Sequence, residues 1–149
     1  MLEERLEQDI KTALLARDTH TLTTLRGLKA TLLNIKVASG KRGTGLDDDE
    51  VIEALSKEAK KRQESADLYK QGGNSLRANL ELKEKKIIQA YLPEQISENE
   101  LTGIIEQVIK QSGAIGMSMM GQVIGQTKAK VGAQADGSLI AKIVKEKLQ

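Results

Sequence analysis

The chain has 149 residues, 39% of them apolar and 30% charged, with a formal net charge of +2; this is the composition of one folded domain or two small ones, not of a disordered chain or a membrane span. Cysteine is absent and His20 is the single histidine, which excludes disulfides, thiolate metal sites and Cys-His chemistry. Two tyrosines, with no Phe or Trp, leave too few aromatic faces to read single-stranded bases and point to an aliphatic, helical core. With charge so nearly balanced, any nucleic-acid contact has to come from a local patch.

From the N-terminus, Leu2, Leu6, Ile10 and Leu14 recur every fourth position and predict a first helix to about Arg17. Asp18 or Thr19 caps a second, with Leu25, Leu28, Leu32 and Ile35 as its apolar stripe, ending near Ala38. Ser39 to Gly45 (SGKRGTG) reads as an exposed, mobile loop. Asp47 and Glu50 form a capping box that opens a long helix, and the pair Gly72-Gly73 closes it after Gln71. Asn74 or Ser75 caps a fourth helix to about Tyr91, and Pro93, the only proline, ends it. Ser97 and Glu100 make a second capping box for a helix running to Gly113. Two short helices follow, about Met117 to Lys130 and Gly137 to Leu148, the last with Asp136 as N-cap. The fold class is therefore all-α: a four-helix N-terminal domain, residues 1–93, and a three-helix tail domain, residues 94–149.

On a helical wheel Arg26, Lys29 and Lys36 share an arc beside the stripe of the second helix, and Lys57, Lys60 and Lys61 lie opposite the apolar side of the third. Such cations can track a phosphate backbone. Glu53, Glu58 and Glu64 are interleaved with them, and a mixed face of this kind is also what ordinary solvated helices show. Arg62 falls among Val51, Leu55, Ala66 and Tyr69, and Glu84 among Leu80, Ile88 and Tyr91. Unpaired buried charges are costly, so the two are expected to pair and fix how the third and fourth helices dock. Asp47 to Glu50 read as capping acids favoured by the helix dipole, in preference to a magnesium site. Gly116 to Gly121 has the outer spacing of a phosphate loop, but Gln122-Val123 stands where Lys and Ser or Thr are required. Gly121 and Gly125, one turn apart, are expected to allow close backbone packing. No catalytic, cofactor or metal site is expected. The acidic N-terminal stretch has no long apolar run, so the reading is a cytoplasmic protein without membrane contact.

Several segments together resemble the GatB/YqeY family: LRGLKATLLNIKVA (Leu25 to Ala38), LDDDEVIEALSKEAKKRQES (Leu46 to Ser65), AYLPEQIS (Ala90 to Ser97), MGQVIG (Met120 to Gly125) and ADGSLIAKIV (Ala135 to Val144). Arg62, Ser65, Glu84, Tyr91, Pro93, Gly121 and Ala135-Asp136-Gly137 match its motif positions. The tail domain of this family is shared with the B subunit of aspartyl/glutamyl-tRNA amidotransferase. The resemblance implies an all-helical body, a three-helix tail and a link to tRNA or to a tRNA-amidation or aminoacylation complex. Glutamine-dependent carbon-nitrogen ligase activity attaches to this chain by family name only, since a chain of this length lacks the amidase and phosphorylating modules. Many relatives carry charged residues around the tail's Met-Gly and before Ala-Asp-Gly, where this chain has Met119, Gln122 and Gln134. Lys128, Lys130, Lys142 and Lys145 remain as tail cations for phosphate. Docking of a partner helix without RNA is the competing reading.

Overall fold

Five of the seven principal helices open at a residue whose side chain accepts an amide N–H that the first turn leaves unpaired. In a computed structural model describing residues 1–149, the seven are α1 (Leu2–Leu15), α2 (Thr19–Ala38), α3 (Asp48–Gln71), α4 (Ser75–Gln89), α5 (Glu98–Ser112), α6 (Met120–Val131) and α7 (Gly137–Leu148). Asp18 accepts from the Thr21 amide, Asn74 from that of Arg77 and Asp136 from that of Ser138, while Asp47/Glu50 and Ser97/Glu100 form complete capping boxes. At the other end of α5, Gly113 takes φ +66°, a left-handed turn that side chains resist. No strand is present.

The contacts divide the chain into two compact units, Met1–Leu92 and Pro93–Gln149. In the first, α1 packs along α2 and α3 along α4. Leu6, Leu25, Leu28, Leu32, Val51, Leu55, Ile88 and Tyr91 form its core. In the second, Leu101, Ile105 and Val108 from α5 meet Val123 and Val131 from α6 and Ile140, Ile143, Val144 and Leu148 from α7. Each fully buried aliphatic side chain contributes about 1.5–3 kcal/mol.

Three details depart from the sequence reading. Leu14 is exposed and Ala13 is buried in its place, because a strict four-residue repeat drifts around a helix of 3.6 residues per turn. Leu80, grouped with Ile88 by the wheel, is also exposed. The segment read as a mobile loop is tied down: the Lys41 amide bonds the Lys36 carbonyl, the Gly45 amide bonds the Lys41 carbonyl, and buried Leu46 donates its amide to Glu3 Oε1 at 2.7 Å.

Candidate nucleic-acid interface

The base of the N-terminal unit is fixed by polar side chains. Arg5 lies 4.5 Å over the Tyr91 ring and donates to the Ala90 carbonyl at 3.0 Å, while the Tyr91 hydroxyl donates to Asp9. Burial, helped by the Asp9 carboxylate, pushes the Tyr91 phenol above its ordinary range. The acids read as capping residues serve the backbone: Asp47 and Glu50 cap α3, and Asp48 accepts the Leu2 amide at 3.0 Å. No three His, Asp or Glu side chains gather so as to hold a metal ion.

The cations proposed for phosphate are mostly engaged already. Lys29 pairs with Glu7 at 2.7 Å and Lys36 with Glu3, so both bridge α2 to α1. Partial burial acts to raise the Glu3 carboxyl, yet the bonds from Lys36 and the Leu46 amide hold it below the ordinary range. Between these two pairs lies a cavity of about 70 Å³ beside Leu6, Leu32 and Leu33, far smaller than a nucleotide site. On α3, Lys57 pairs with Glu53 at 2.9 Å and Lys61 with Glu58 at 3.1 Å; Lys60 is exposed. Arg26 is exposed on α2 and enters no ion pair.

Arg62 is the centre of a larger cluster than the sequence predicts. Its Nε donates to Glu84 Oε2 at 2.8 Å and its Nη1 to Glu58 Oε2 at 3.2 Å, with Glu81 Oε2 3.9 Å away. Glu58, grouped above with the solvated acids, is buried at 7% exposure. The signal was in the spacing: Glu58 stands one turn before Arg62 on the face that meets α4, and Glu81 one turn before Glu84. These residues bond α3 to α4, and Ala66 of α3 and Ala78 of α4 are fully buried.

In the tail unit the glycines do something different from what their spacing predicts. Gly121 and Gly125 are exposed, and a Cβ built on either meets no atom within 4 Å, so neither serves close packing inside this chain. Lys128, three residues beyond Gly125, shares their helical face. Its side chain lies across the start of α7: a Cβ on Gly137 would stand 3.3 Å from Lys128 Cε and 3.4 Å from Nζ. The two glycines, an ammonium group and the capped first turn of α7 thus form one open surface. Lys130 bonds Gln111 at 3.3 Å, Lys147 pairs with Glu106 at 2.6 Å, and Lys142 and Lys145 are exposed. Pro93 begins this unit, with Gln95 Nε2 donating to its carbonyl and to that of Ala133.

Fold and surface together define an all-helical protein whose candidate sites lie on helix faces and not in a cavity. Residues 3–148 match the Yqey-like protein family, and the chain belongs to that family. It is 38% identical over 58 residues to the E subunit of the glutamyl-tRNA(Gln) amidotransferase of Thermococcus gammatolerans, a match covering 36% of this chain and 9% of that relative. The corresponding protein of Thermococcus sibiricus is 34% identical over 58 residues. Altered inheritance of mitochondria protein 41, mitochondrial, of Eremothecium gossypii is 37% identical over 87 residues, 58% of this chain and 46% of that protein. The chain therefore matches less than half the length of each of these relatives. No helix is long and apolar enough to cross a membrane.

Proposed function

We propose that this chain is a non-catalytic accessory module that engages folded tRNA, or a complex handling tRNA amidation or aminoacylation, through shape and phosphate contacts. The observation that carries this reading is the open face of α6. Gly125, in the middle of α6, costs the helix about 1 kcal/mol relative to alanine, and neither it nor Gly121, in the first turn, meets a neighbour within the chain that a methyl group would displace. Bare backbone beside the Lys128 ammonium admits close approach of a phosphate chain. Names of the amidotransferase relatives support the tRNA connection. Lys142, Lys145 and Arg26 can add charge; Lys29, Lys36, Lys57 and Lys61 contribute less, since each would have to leave its acid. On the sequence's own expectation the module works in the cytoplasm.

Titration of labelled tRNA at increasing salt tests this directly. Three neutralised phosphates correspond to a loss of about 40-fold between 50 and 200 mM salt. Lys128→Glu and the pair Gly121→Ala, Gly125→Ala are expected to weaken binding, the glycine variant while raising thermal stability. Salt-independent binding, or full affinity in both variants, overturns the reading. The isolated chain is expected to show no amide transfer with mischarged tRNA, glutamine and ATP. A protein-docking tail is the second reading, favoured by Ile115, 84% exposed between Gly113 and Gly116; a partner recovered equally after nuclease treatment would support it.

A further inference from the structure

The outer face of α4 carries Leu76, Leu80, Lys83 and Ile87 at intervals of four, three and four residues, the spacing of a coiled-coil seam. Its C-terminal end is in use: Ile87 packs against the core of the N-terminal unit. Its N-terminal end is bare, with Leu76 81% and Leu80 51% exposed. The positions flanking the seam hold Arg77 and Glu84 on one side, Asn79 and Lys86 on the other. Glu84 is drawn inward to Arg62, and so is Glu81. Both acids of α4 are therefore removed from the outer face, which keeps its leucines and the exposed cations Arg77, Lys83 and Lys86. Asp18 at the α1–α2 corner feels the field of Lys83, but its carboxylate is committed to capping Thr21.

We propose that this half-used seam docks an acidic amphipathic helix of a partner protein, with leucine or isoleucine in its seam and glutamates at the flanking positions. Charge complementarity selects the sign of the partner, because flanking residues decide which helix pairs with which. The width of the seam selects its kind: a two-in-seven stripe seats one helix, whereas a membrane surface calls for a broader apolar face. A lysine within the seam admits a glutamate opposite it and fixes the register. This seam belongs to the N-terminal unit and the α6 face to the C-terminal one, and each reading has its own variants and its own probe.

The probe is a synthetic helical peptide of about three heptads, leucine in the seam and glutamate at the flanking positions, titrated into the full isotope-labelled chain. Amide shift changes confined to about residues 76–86 are expected. Leu76→Ser with Leu80→Ser, and Arg77→Glu with Lys86→Glu, should each weaken the peptide at least tenfold. Both pairs are exposed, and an unchanged circular dichroism spectrum verifies the fold. A peptide with lysine in place of glutamate should not bind. The proposal is overturned if α4 amides stay unmoved, if the lysine peptide binds as well, or if tRNA or anionic phospholipid vesicles move these amides when the acidic peptide does not.

Discussion

In the N-terminal unit, charges on neighbouring helices answer one another from Glu3–Lys36 and Glu7–Lys29 to the Arg62 cluster with Glu58, Glu81 and Glu84. In the C-terminal unit an aliphatic core does the holding, Lys147–Glu106 bridges α7 to α5, and Lys128, Lys142 and Lys145 face solvent. The difference teaches that cation count is a poor guide to how many cations a fold leaves unpaired. The N-terminal cations that look best placed in sequence are largely neutralised by their own fold, while the tail keeps Lys128, Lys142 and Lys145 exposed and outside its ion pairs.

The comparison can be broken most severely from the tail core. Ile105→Ala or Ile140→Ala removes a side chain with no exposure and should cost about 3 kcal/mol; denaturation followed by hydrogen exchange should show protection lost in α5–α7. Arg62→Ala comes next. It leaves buried Glu58 with only Lys61 to pair with and takes the guanidinium from Glu84, and about 2 kcal/mol of destabilisation is expected in chemical denaturation. Replacing Arg62 and Glu84 together by methionine should recover part of that loss if the pair positions the helices and does not itself supply their stability.

Smaller changes sharpen the contrast. Gly125→Ala, in the interior of α6, should raise the stability of the tail unit by about 1 kcal/mol, since the added methyl meets open space and the helix gains a better former. Tyr91→Phe should lower that of the N-terminal unit by about 1 kcal/mol through the lost bond to Asp9.

Acid should act first on the N-terminal unit. Glu3 and Glu50 have folded-state values below the ordinary 4.5, Glu50 through its bonds from Lys41 and the Asp47 amide. Their contribution is present above that ordinary value and is lost as pH falls through the lowered folded values. A melting series in that window should show the N-terminal unit weakening ahead of the tail, and Lys36→Met should blunt the effect. Lys57→Gln sits at the bottom of the scale: an exposed pair one turn apart should change stability by less than about 0.5 kcal/mol.

Local chemistry made most of the fold readable from the residues alone. Caps such as Asp47/Glu50 and Ser97/Glu100, stops such as Gly72-Gly73 and Pro93, and the 3.6-residue spacing of Leu25, Leu28 and Leu32 act within a few positions of themselves, so sequence set the helices and their inward faces. It also paired Arg62 with Glu84, because a charge on an apolar stripe has to find its opposite. What needed the tertiary structure was everything that depends on a neighbouring helix. A lysine's freedom is decided by whether an acid stands across the interface, as Glu7 does for Lys29. Glu58 is buried because α4 covers it, and Gly121 and Gly125 are open because nothing covers them. Periodicity says which side of a helix is apolar; only packing says what that side meets.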